Sequence, residues 1–263
     1  MRPARPAERT SKKGPRVTIA PEDPARLNEV DLTTRRRAEI LTGSIRVIAR
    51  DGVVAAKLKD IARESGVSLG LIQHYFDTRE NLVDATFEVM MRVISRESAL
   101  RVRTIEDPLQ FIYALNSQHV FGSVAFPERW GFWSELWSGS GRSGPLRTVA
   151  SQVYELWARP LEEALGQLAE SHRLPASADP HRLTAGILAL MDGLSIRTLA
   201  DPDVVSPEFM LEVLNDWVTV QLGVDPAEAR LHLTELERHR DAMQPRALTP
   251  EVVAEALLEG PAT

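Results

Sequence analysis

The stretch that decides the fold is TRRRAEILTGSIRVIARDGVVAAKLKDIARESGVSLGLIQHYFDTRENL, residues 34–82. In its middle, Leu58, Ile61 and Ala62 recur at i, i+3 and i+4, which predicts a short helix with one apolar face. Gly66 then permits a sharp reversal, and the Ser68 hydroxyl can accept an amide hydrogen bond at the start of the next helix. This order of helix, turn and helix is typical of a helix-turn-helix DNA reader.

A third helix is predicted over Leu69–Phe76. Its apolar and aromatic residues would anchor it in a small core: Leu71, Ile72, Tyr75 and Phe76. Gly70, Gln73 and His74 would then face outward, together with the Tyr75 hydroxyl. A short helix with such a face suits the major groove, which admits an α-helix. Before it, a helix capped by Thr33 or Thr34 and ended by Gly52 would hold the domain together through Ile40, Leu41, Ile45, Ile48 and Ala49.

Three motifs together resemble the DNA-binding domain of the TetR family of transcriptional regulators: Asp60-Ile61-Ala62, Gly66-Val67-Ser68 and the run Leu71–Leu82. The resemblance covers Thr34–Ala85. It implies an all-α protein in which an N-terminal three-helix helix-turn-helix domain is joined by a long helix to a C-terminal helical ligand-binding and dimerisation domain. A compact bundle with a well-capped turn would fit the same pattern, but it gives the outward Gln73-His74 pair no role.

Charge is divided unevenly along the chain. The whole chain has a formal net charge of −6, yet residues 1–80 hold 16 Lys and Arg against 11 Asp and Glu, a net of +5, and the rest holds 15 against 26, a net of −11. A basic head on an acidic body directs the head toward phosphate. An ordinary solvated surface is the alternative, and a division this large disfavours it.

Composition limits the other classes. The 263 residues accommodate a small DNA-binding domain and a larger companion, and no cysteine is present, so disulfides, thiolate metal sites and cysteine catalysis are excluded. No apolar run approaches the roughly 20 residues of a membrane span, and the Arg-rich start lacks the apolar centre of a secretory signal. We therefore expect a cytoplasmic protein that does not enter a membrane.

Four regions are predicted: a flexible basic and Pro-rich arm over 1–32, the helix-turn-helix domain over 33–82, a helical effector-binding and dimerisation domain over 83–223, and a C-terminal helical extension over 224–263. The arm could add phosphate or minor-groove contacts through its basic residues, or be a plain disordered extension. Those residues are Arg2, Arg5, Arg9, Lys12, Lys13 and Arg16.

Helices account for the rest of the predicted fold, and no segment has a strand pattern. A long helix over Glu80–Arg103 leaves the first domain as its mechanical link to the body. Further helices are predicted over Leu109–Gly122, Pro127–Ser138, Leu146–Ser171, His181–Leu199, Pro207–Leu222, Pro226–Met243 and Pro250–Leu258.

A homodimer interface is predicted on the helices near 181–199 and 207–222, which are apolar on broad faces. These faces carry Leu183, Ile187, Leu190, Met191 and Leu194, and Met210, Val213, Leu214, Trp217 and Val220. Small residues between them would let helices approach closely: Ala185, Gly186, Ala189 and Gly193. The resemblance also implies a dimer, whereas ordinary intramolecular core is the alternative.

Tryptophans mark a candidate effector site. Trp130, Trp133 and Trp137 share one helix face and Trp157 follows, a pattern more often found in a core than in a ligand box. Indole rings also attract quaternary ammonium groups, and Glu135 or Asp192 could supply a counter-charge. Phe111, Asn116, His119 and Phe126 complete the predicted pocket for an unidentified small-molecule effector.

The segments 130–137 and 190–194 are similar to the BetI-like branch of TetR regulators, whose namesake responds to choline. That similarity is loose and does not extend choline recognition to this chain. The interpretation is a repressor that binds a palindromic double-stranded DNA operator as a homodimer and is released by its effector, with no cofactor or metal. An activator would fit the same sequence.

The predicted DNA contacts divide by role. Gln73, His74 and Tyr75 would face the bases, where Gln73 can pair bidentately with adenine, and charged or polar neighbours would position the protein on phosphate. Those neighbours are Thr34, Arg35, Lys57, Lys59, Ser68 and Arg79, with Leu69 and Gly70 at the helix start. For each residue alone, a solvated surface side chain is the alternative.

An enzyme and a protein-interaction module are the other classes considered. The sequence has no Gly-rich phosphate loop, metal-ligand spacing or Ser-His-Asp pattern. Its histidines are dispersed at His74, His119, His172, His181, His232 and His239. The chain is therefore not expected to be an enzyme, and salt-sensitive DNA affinity would separate a reader from an interaction module.

Overall fold

The structure, a computed structural model, describes residues 32–102, 104–126, 129–238 and 244–259. Within these ranges the chain forms eleven α-helices and two strands of two residues each. The all-α prediction is confirmed. The arm predicted over 1–32, with its basic side chains, lies outside the described residues except for Leu32.

The first helix, α1 (Leu32–Asp51), starts earlier than predicted. Thr33 and Thr34 lie inside its first turn, so the prediction that either caps the helix is wrong; the helical backbone continues through both threonines to Leu32. The end of the helix is as predicted. Gly52 adopts a left-handed φ of 83° and donates its amide to the Ile48 carbonyl at 2.9 Å.

The turn between α2 (Leu58–Ser65) and α3 (Leu69–Phe76) follows its sequence signals. Gly66 has a φ of 67° and donates its amide to the last carbonyls of α2. The Ser68 hydroxyl accepts the Leu71 amide at 3.2 Å, which satisfies one of the free donors at the start of α3. The two helices are thereby held at a fixed angle on α1.

Eight helices follow: α4 (Arg79–Val102), α5 (Pro108–Phe121), α6 (Arg129–Ser140), α7 (Gly144–Glu170), α8 (Pro180–Ala200), α9 (Pro207–Gln221), α10 (Pro226–Arg238) and α11 (Pro250–Leu258). Five of them, α5, α8, α9, α10 and α11, begin with proline directly after a side-chain cap. The caps are Asp107, Asp179, Ser206, Asp225 and Thr249. Proline suits this first position because the amide it lacks would have no helical partner.

Two predictions for the body need correction. The expectation of no strands is wrong, because β1 (Val124–Ala125) pairs in parallel with β2 (Arg246–Ala247). Strands of two residues are too short to leave an alternating pattern in the sequence. The helix predicted over 226–243 ends at Arg238 in the described part of the chain, and residues 239–243 lie outside it.

The C-terminal extension packs against the N-terminal helices. Leu248, Val252 and Val253 are almost fully buried in the same cluster as the core of α1 and α4. The Arg46 guanidinium on α1 donates to the Leu248 carbonyl at 3.0 Å. The last described helix therefore belongs to the core of the helix-turn-helix domain, although almost the whole chain separates the two in sequence.

A buried carboxylate fastens the same contact. Glu97 on α4 is 2 % exposed, and its Oε1 lies 2.7 Å from Nη1 of Arg96 and 3.1 Å from Nη1 of Arg246 on β2. Burying a carboxylate is tolerated only when it is paired, and two guanidinium groups provide that pairing here. Glu255 on α11 pairs with both arginines, at 2.8 and 2.9 Å.

Helix α8 is long and apolar enough to cross a membrane by composition alone, with a mean hydropathy of 1.4 over its most apolar window. One side of the helix is packed into the body, where Leu183, Ile187, Met191 and Leu194 are buried against neighbouring helices. On the other side Ile196 and Leu199 are exposed. A single helix of this kind is weak evidence for a membrane span, because the core helix of a folded protein meets the same criterion.

Candidate DNA-binding surface and ligand cavities

Helix α3 presents an exposed face beside a buried one. Ile72 and Phe76 are buried and anchor the helix, whereas Gln73 and His74 are exposed. Tyr75 is half-buried, and its ring lies edge-on to the His74 ring with centroids 5.2 Å apart. Ser68, Leu69 and Gly70 are exposed at the helix start, so the predicted base-facing residues and the first turn share one accessible surface.

The residues predicted to bind phosphate from α1 and α2 lie at the surface. Lys57 and Lys59 are exposed at the start of α2. Arg35 is exposed on α1 and pairs with Glu39 at 3.3 Å, an exposed ion pair of the kind that contributes little to stability. Thr34 is half-buried in the first turn of α1.

Arg79 has a different position from the one predicted. Its guanidinium donates to the Ala56 carbonyl at 3.1 Å and also to the Val53 carbonyl. It therefore ties the start of α4 to the loop between α1 and α2. In this arrangement its donors are directed at backbone oxygens of the protein.

A cavity of about 580 Å³ lies in the body between α4, α5, α6, α7 and α8. Five of the predicted pocket residues line it: Phe111, His119, Trp130, Trp133 and Trp157. Sequence reasoning missed much of the remaining wall, which includes Met90, Ile94, Val102, Gln118, Arg129, Leu188 and Met191. Helical periodicity marked several of these positions as apolar, but it does not distinguish a cavity wall from a filled core.

A second cavity of about 20 Å³ adjoins the first and is lined by two more of the predicted residues, Trp137 and Asp192. His119, Trp130, Trp133 and Trp157 line both cavities and form the wall between them. Sequence reasoning missed Tyr154, which stacks on Trp137 at 4.8 Å and donates its hydroxyl to Asp192 at 2.5 Å. Burial raises the pKa of the Asp192 carboxyl despite this hydrogen bond.

Three predicted site residues lie elsewhere. Asn116 is fully buried and donates to the Asn215 side chain at 3.0 Å, so it ties α5 to α9 and lines neither cavity. Phe126 packs edge-on to Phe132 with centroids 6.3 Å apart, also outside both cavities. Glu135, considered as a counter-charge in the pocket, points toward α1 because α6 turns that side away from the tryptophan wall.

The electrostatics of the large cavity are set by His119 and Arg129. Burial and the nearby Arg129 charge lower the pKa of His119 to about 3, so the imidazole is neutral at pH 7. Burial lowers the pKa of Arg129 to about 10, which still leaves it charged. The guanidinium carbon lies 4.3 Å from the centre of the Trp130 ring, a cation–π contact that offsets part of the cost of its burial.

Helix α6 connects the cavity wall to the DNA-reading head. Its Glu135 carboxylate accepts the Val53 amide at 2.8 Å, just beyond the end of α1. Gly131 lies against α1 so closely that an added Cβ would be 2.5 Å from the Ala49 carbonyl oxygen. The helix that carries three of the cavity tryptophans therefore touches the scaffold of the reading helix directly.

Helices α8 and α9 bury most of the residues on which the dimer prediction was based. Leu183, Ile187 and Met210 are buried in the core of one protomer, so these side chains are not available for contact with a second protomer. Gly186 serves the same core, since an added Cβ would lie 2.8 Å from the Trp217 ring. Four residues of the prediction remain accessible, Ala185, Ala189, Gly193 and Val220, and Ile196 and Phe209 on the same two helices are exposed as well.

No group of three or more His, Asp or Glu side chains suited to a metal ion occurs in the described ranges.

Comparison with protein families gives two matches along the chain. Residues 40–86 match the N-terminal domain of bacterial regulatory proteins of the tetR family, and residues 121–223 match the C-terminal domain of BetI-type transcriptional repressors. Both family matches end before β2 and α11. The C-terminal segment that packs on α1 therefore lies outside the matched residues.

Individual relatives agree with these matches. The chain is 25 % identical over 199 residues to an HTH-type transcriptional regulator BetI from Brucella suis, covering 76 % of this chain and 98 % of that protein. It is 27 % identical over 194 residues to the BetI regulator of Rhizobium meliloti, covering 74 % and 93 %.

Solved structures show the same fold. A transcriptional regulator from Saccharomonospora viridis, crystallised in complex with choline, aligns with a TM-score of 0.64 at 22 % identity, over 69 % of this chain and 94 % of that one. A TetR-family regulator from Rhodococcus aligns with a TM-score of 0.58 at 24 % identity, over 72 % and 99 %.

Proposed function

Because the chain belongs to the TetR family of transcriptional regulators, we propose that it is a ligand-responsive repressor. It binds a palindromic operator as a homodimer and leaves it when a small molecule occupies the cavity in the body. The observation that carries this proposal is the exposed face of α3, where Gln73 and His74 project from a capped helix whose other side is buried. We also place the protein in the cytoplasm, where it has access to DNA.

Specificity and affinity are assigned to different residues. Gln73 faces the bases because its amide can donate to and accept from adenine in the major groove. Lys57 and Lys59 contact phosphates and orient the head, and Ser68, Leu69 and Gly70 bring the start of α3 close to the backbone. Arg35 adds a phosphate contact when it leaves Glu39. Arg79 does not contact DNA itself but holds the loop between α1 and α2 in place through its bonds to the Ala56 and Val53 carbonyls.

Dimerisation uses the accessible faces of α8 and α9. Ala185, Ala189 and Gly193 allow close approach of a second helix, and Ile196 is 57 % exposed on the same side of α8. Two heads are needed to read two half-sites, and a twofold axis through these helices supplies them. Replacing Ile196 by Glu should give monomers by sedimentation and abolish binding to a full palindrome. Leu231→Glu on α10, at a leucine that is 73 % exposed, is the control and should remain dimeric.

Release requires that the effector favour a conformation in which the heads no longer match the operator spacing. Helix α6 supports this coupling because it carries tryptophans of the cavity on one side and contacts α1 through Glu135 and Gly131 on the other. A ligand that moves α6 therefore displaces the base of the reading helix.

The test is selection of bound duplexes from a random pool with the purified full chain, followed by titration of the winner at two salt concentrations. We expect an enriched palindrome, two protomers per duplex, and an affinity that falls steeply with salt. Choline, the ligand of the S. viridis regulator, is the first compound to add. Failure to enrich any sequence would reject the repressor proposal.

A further inference from the structure

Two residues that line the large cavity each carry a buried hydrogen-bond donor without a partner. Gln118 is 8 % exposed, and its Oε1 accepts the Ser98 hydroxyl at 2.5 Å, while its Nε2 is buried with no partner among the described residues. Arg129 Nε is buried and unpartnered in the same sense, although Nη2 of that side chain donates to the Val120 carbonyl. Both residues line the cavity of about 580 Å³. A buried donor without an acceptor is costly, so these two sites call for oxygen atoms.

The charges around these donors have one sign. Arg129 is a cation in the wall of the cavity, and His119 beside it is neutral. Among the described residues that line the cavity, Glu163 is the sole carboxylate, and it is exposed on α7, as is Arg159 of the same lining. The remaining wall is mainly apolar, with aliphatic and indole side chains. A positive, donor-rich end on an apolar cavity suits an anion with an apolar body.

We propose that the effector is an amphipathic carboxylate whose anionic head pairs with Arg129 and Gln118 and whose alkyl body fills the large cavity. This inference rests on the proposed function, since it names the class of ligand for the same site. The head accepts hydrogen bonds from Nε of Arg129 and Nε2 of Gln118. The body lies along the apolar side chains of α4 and the indole rings of Trp130 and Trp157.

A quaternary ammonium is disfavoured in this cavity. Arg129 would repel it, and the large cavity has no buried carboxylate in its described lining to compensate. Asp192, the carboxylate that would suit a cation, lines the smaller cavity together with Trp137. Its volume of about 20 Å³ is only enough for a water molecule, so choline would have to open it.

A series of ligands matched in chain length tests the head group on the unaltered protein. Decanoate, decanol and decyltrimethylammonium, each below its micelle-forming concentration, are titrated while tryptophan fluorescence and heat are recorded. Decanoate should bind roughly tenfold to a hundredfold tighter than decanol, the range given by charge-assisted hydrogen bonds. The ammonium should bind more weakly than decanol. A preference for the ammonium, or equal binding of all three, would overturn the proposal.

Two substitutions locate the preference. Arg129→Gln should remove the advantage of decanoate over decanol, and Arg230→Gln, which deletes the same charge at an exposed arginine outside the cavity, should keep it. Because Arg129 also bonds the Val120 carbonyl, thermal unfolding of each variant is measured alongside. Arg129→Lys, which retains the charge, should keep part of the preference. An unchanged preference in Arg129→Gln would contradict the assignment.

DNA binding separates this inference from the proposed function. Each ligand is added to the selected operator bound to protein, and release is followed by fluorescence anisotropy. Decanoate should release the duplex, and decanol should do so weakly. If the operator is bound normally but decanoate neither binds nor releases it, the ligand class is wrong and the repressor proposal stands. If decanoate binds but no duplex is recognised, the repressor proposal fails.

Discussion

The proposed DNA-reading surface and the proposed ligand cavity of this protein are built in opposite ways. The reading surface comes from one short run of sequence, Ser68–Tyr75, and several of its side chains stand free in solvent. The cavity takes residues from five helices, and its wall carries few exposed groups. The residues of an exposed helix face are therefore determined by a short run of sequence. The residues of a cavity wall depend instead on how distant helices pack together.

This difference has an energetic side. A solvent-exposed side chain can be removed with little effect on folding, so changes on α3 should alter recognition and leave stability near its original value. Buried residues and close helix contacts serve the fold as well as the site. Changes there should alter stability first, and any effect on binding should follow from it.

The largest effect is expected where the tail joins the head. Val253 is completely buried between α11 and the N-terminal helices, and Val253→Asp would place an unpaired carboxylate there. We expect the free energy of unfolding to fall by at least about 4 kcal/mol, measured by urea denaturation. Leu258→Asp, on the same helix but 58 % exposed, is the control. Equal stability of the two variants would mean that α11 is not part of the core.

Separating the head from the cavity wall should have a smaller effect. In Gly131→Ala the new methyl group meets the Ala49 carbonyl, so α6 and α1 must move apart. We expect a loss of about 1–3 kcal/mol in thermal unfolding, together with a weaker release of DNA by ligand. Gly141→Ala, where an added Cβ meets no atom within 4 Å, should leave both quantities unchanged. Normal ligand response in Gly131→Ala would remove α6 from the coupling path.

Acid should destabilise the body through His119. Its pKa is about 3 in the folded protein against an ordinary value of 6.5, so the unfolded chain takes up a proton that the folded chain refuses. The stability is fully present above pH 6.5 and falls as the pH decreases toward 3. Between pH 7 and pH 5 the loss should be about 2 kcal/mol. In urea denaturation, the free energy of unfolding of His119→Gln should depend less on pH than that of the unaltered protein. His181→Gln, at an exposed histidine, is the control and should keep the original pH dependence.

The smallest effect on folding is expected on the reading helix. Gln73→Ala should change the free energy of unfolding by less than about 0.5 kcal/mol, yet relax the preference at one base position by about 1–3 kcal/mol in competition binding. Lys59→Ala is the matched comparison, because loss of a phosphate contact should weaken every sequence alike and lower the salt slope by about one. A uniform loss in Gln73→Ala would break the contrast between surface and cavity.

The sequence predicted the features that depend on neighbouring residues better than those that depend on packing between distant segments. The reversal at Gly66 and the cap at Ser68 are confirmed because each depends on the conformation of neighbouring residues. Helix α11 was also predicted with its bounds, yet its packing on α1 was not. The bond from Arg46 to the Leu248 carbonyl joins residues on opposite ends of the chain and leaves no periodic signal.

Residues with more than one possible partner were the hardest to assign. Asn116 and Glu135 are polar residues on helices of the predicted pocket, and either could have faced it. Their hydrogen bonds go to Asn215 and to the Val53 amide, because the rotation of each helix about its own axis is fixed by packing. Arg129 was missed for the same reason, since an arginine at a helix start ordinarily lies in solvent.

The sequence by itself determined the all-α class, the helix-turn-helix, the family and the exposed polar face of α3. Each of these follows from helical periodicity, caps and glycine turns, which act over a few residues. Tertiary structure alone decided that α11 completes the core of the head, that α6 touches α1, and that Arg129 and Gln118, each with an unpartnered donor, line a mainly apolar cavity. Those arrangements arise from close packing between distant segments, where the position of one side chain depends on all of its neighbours.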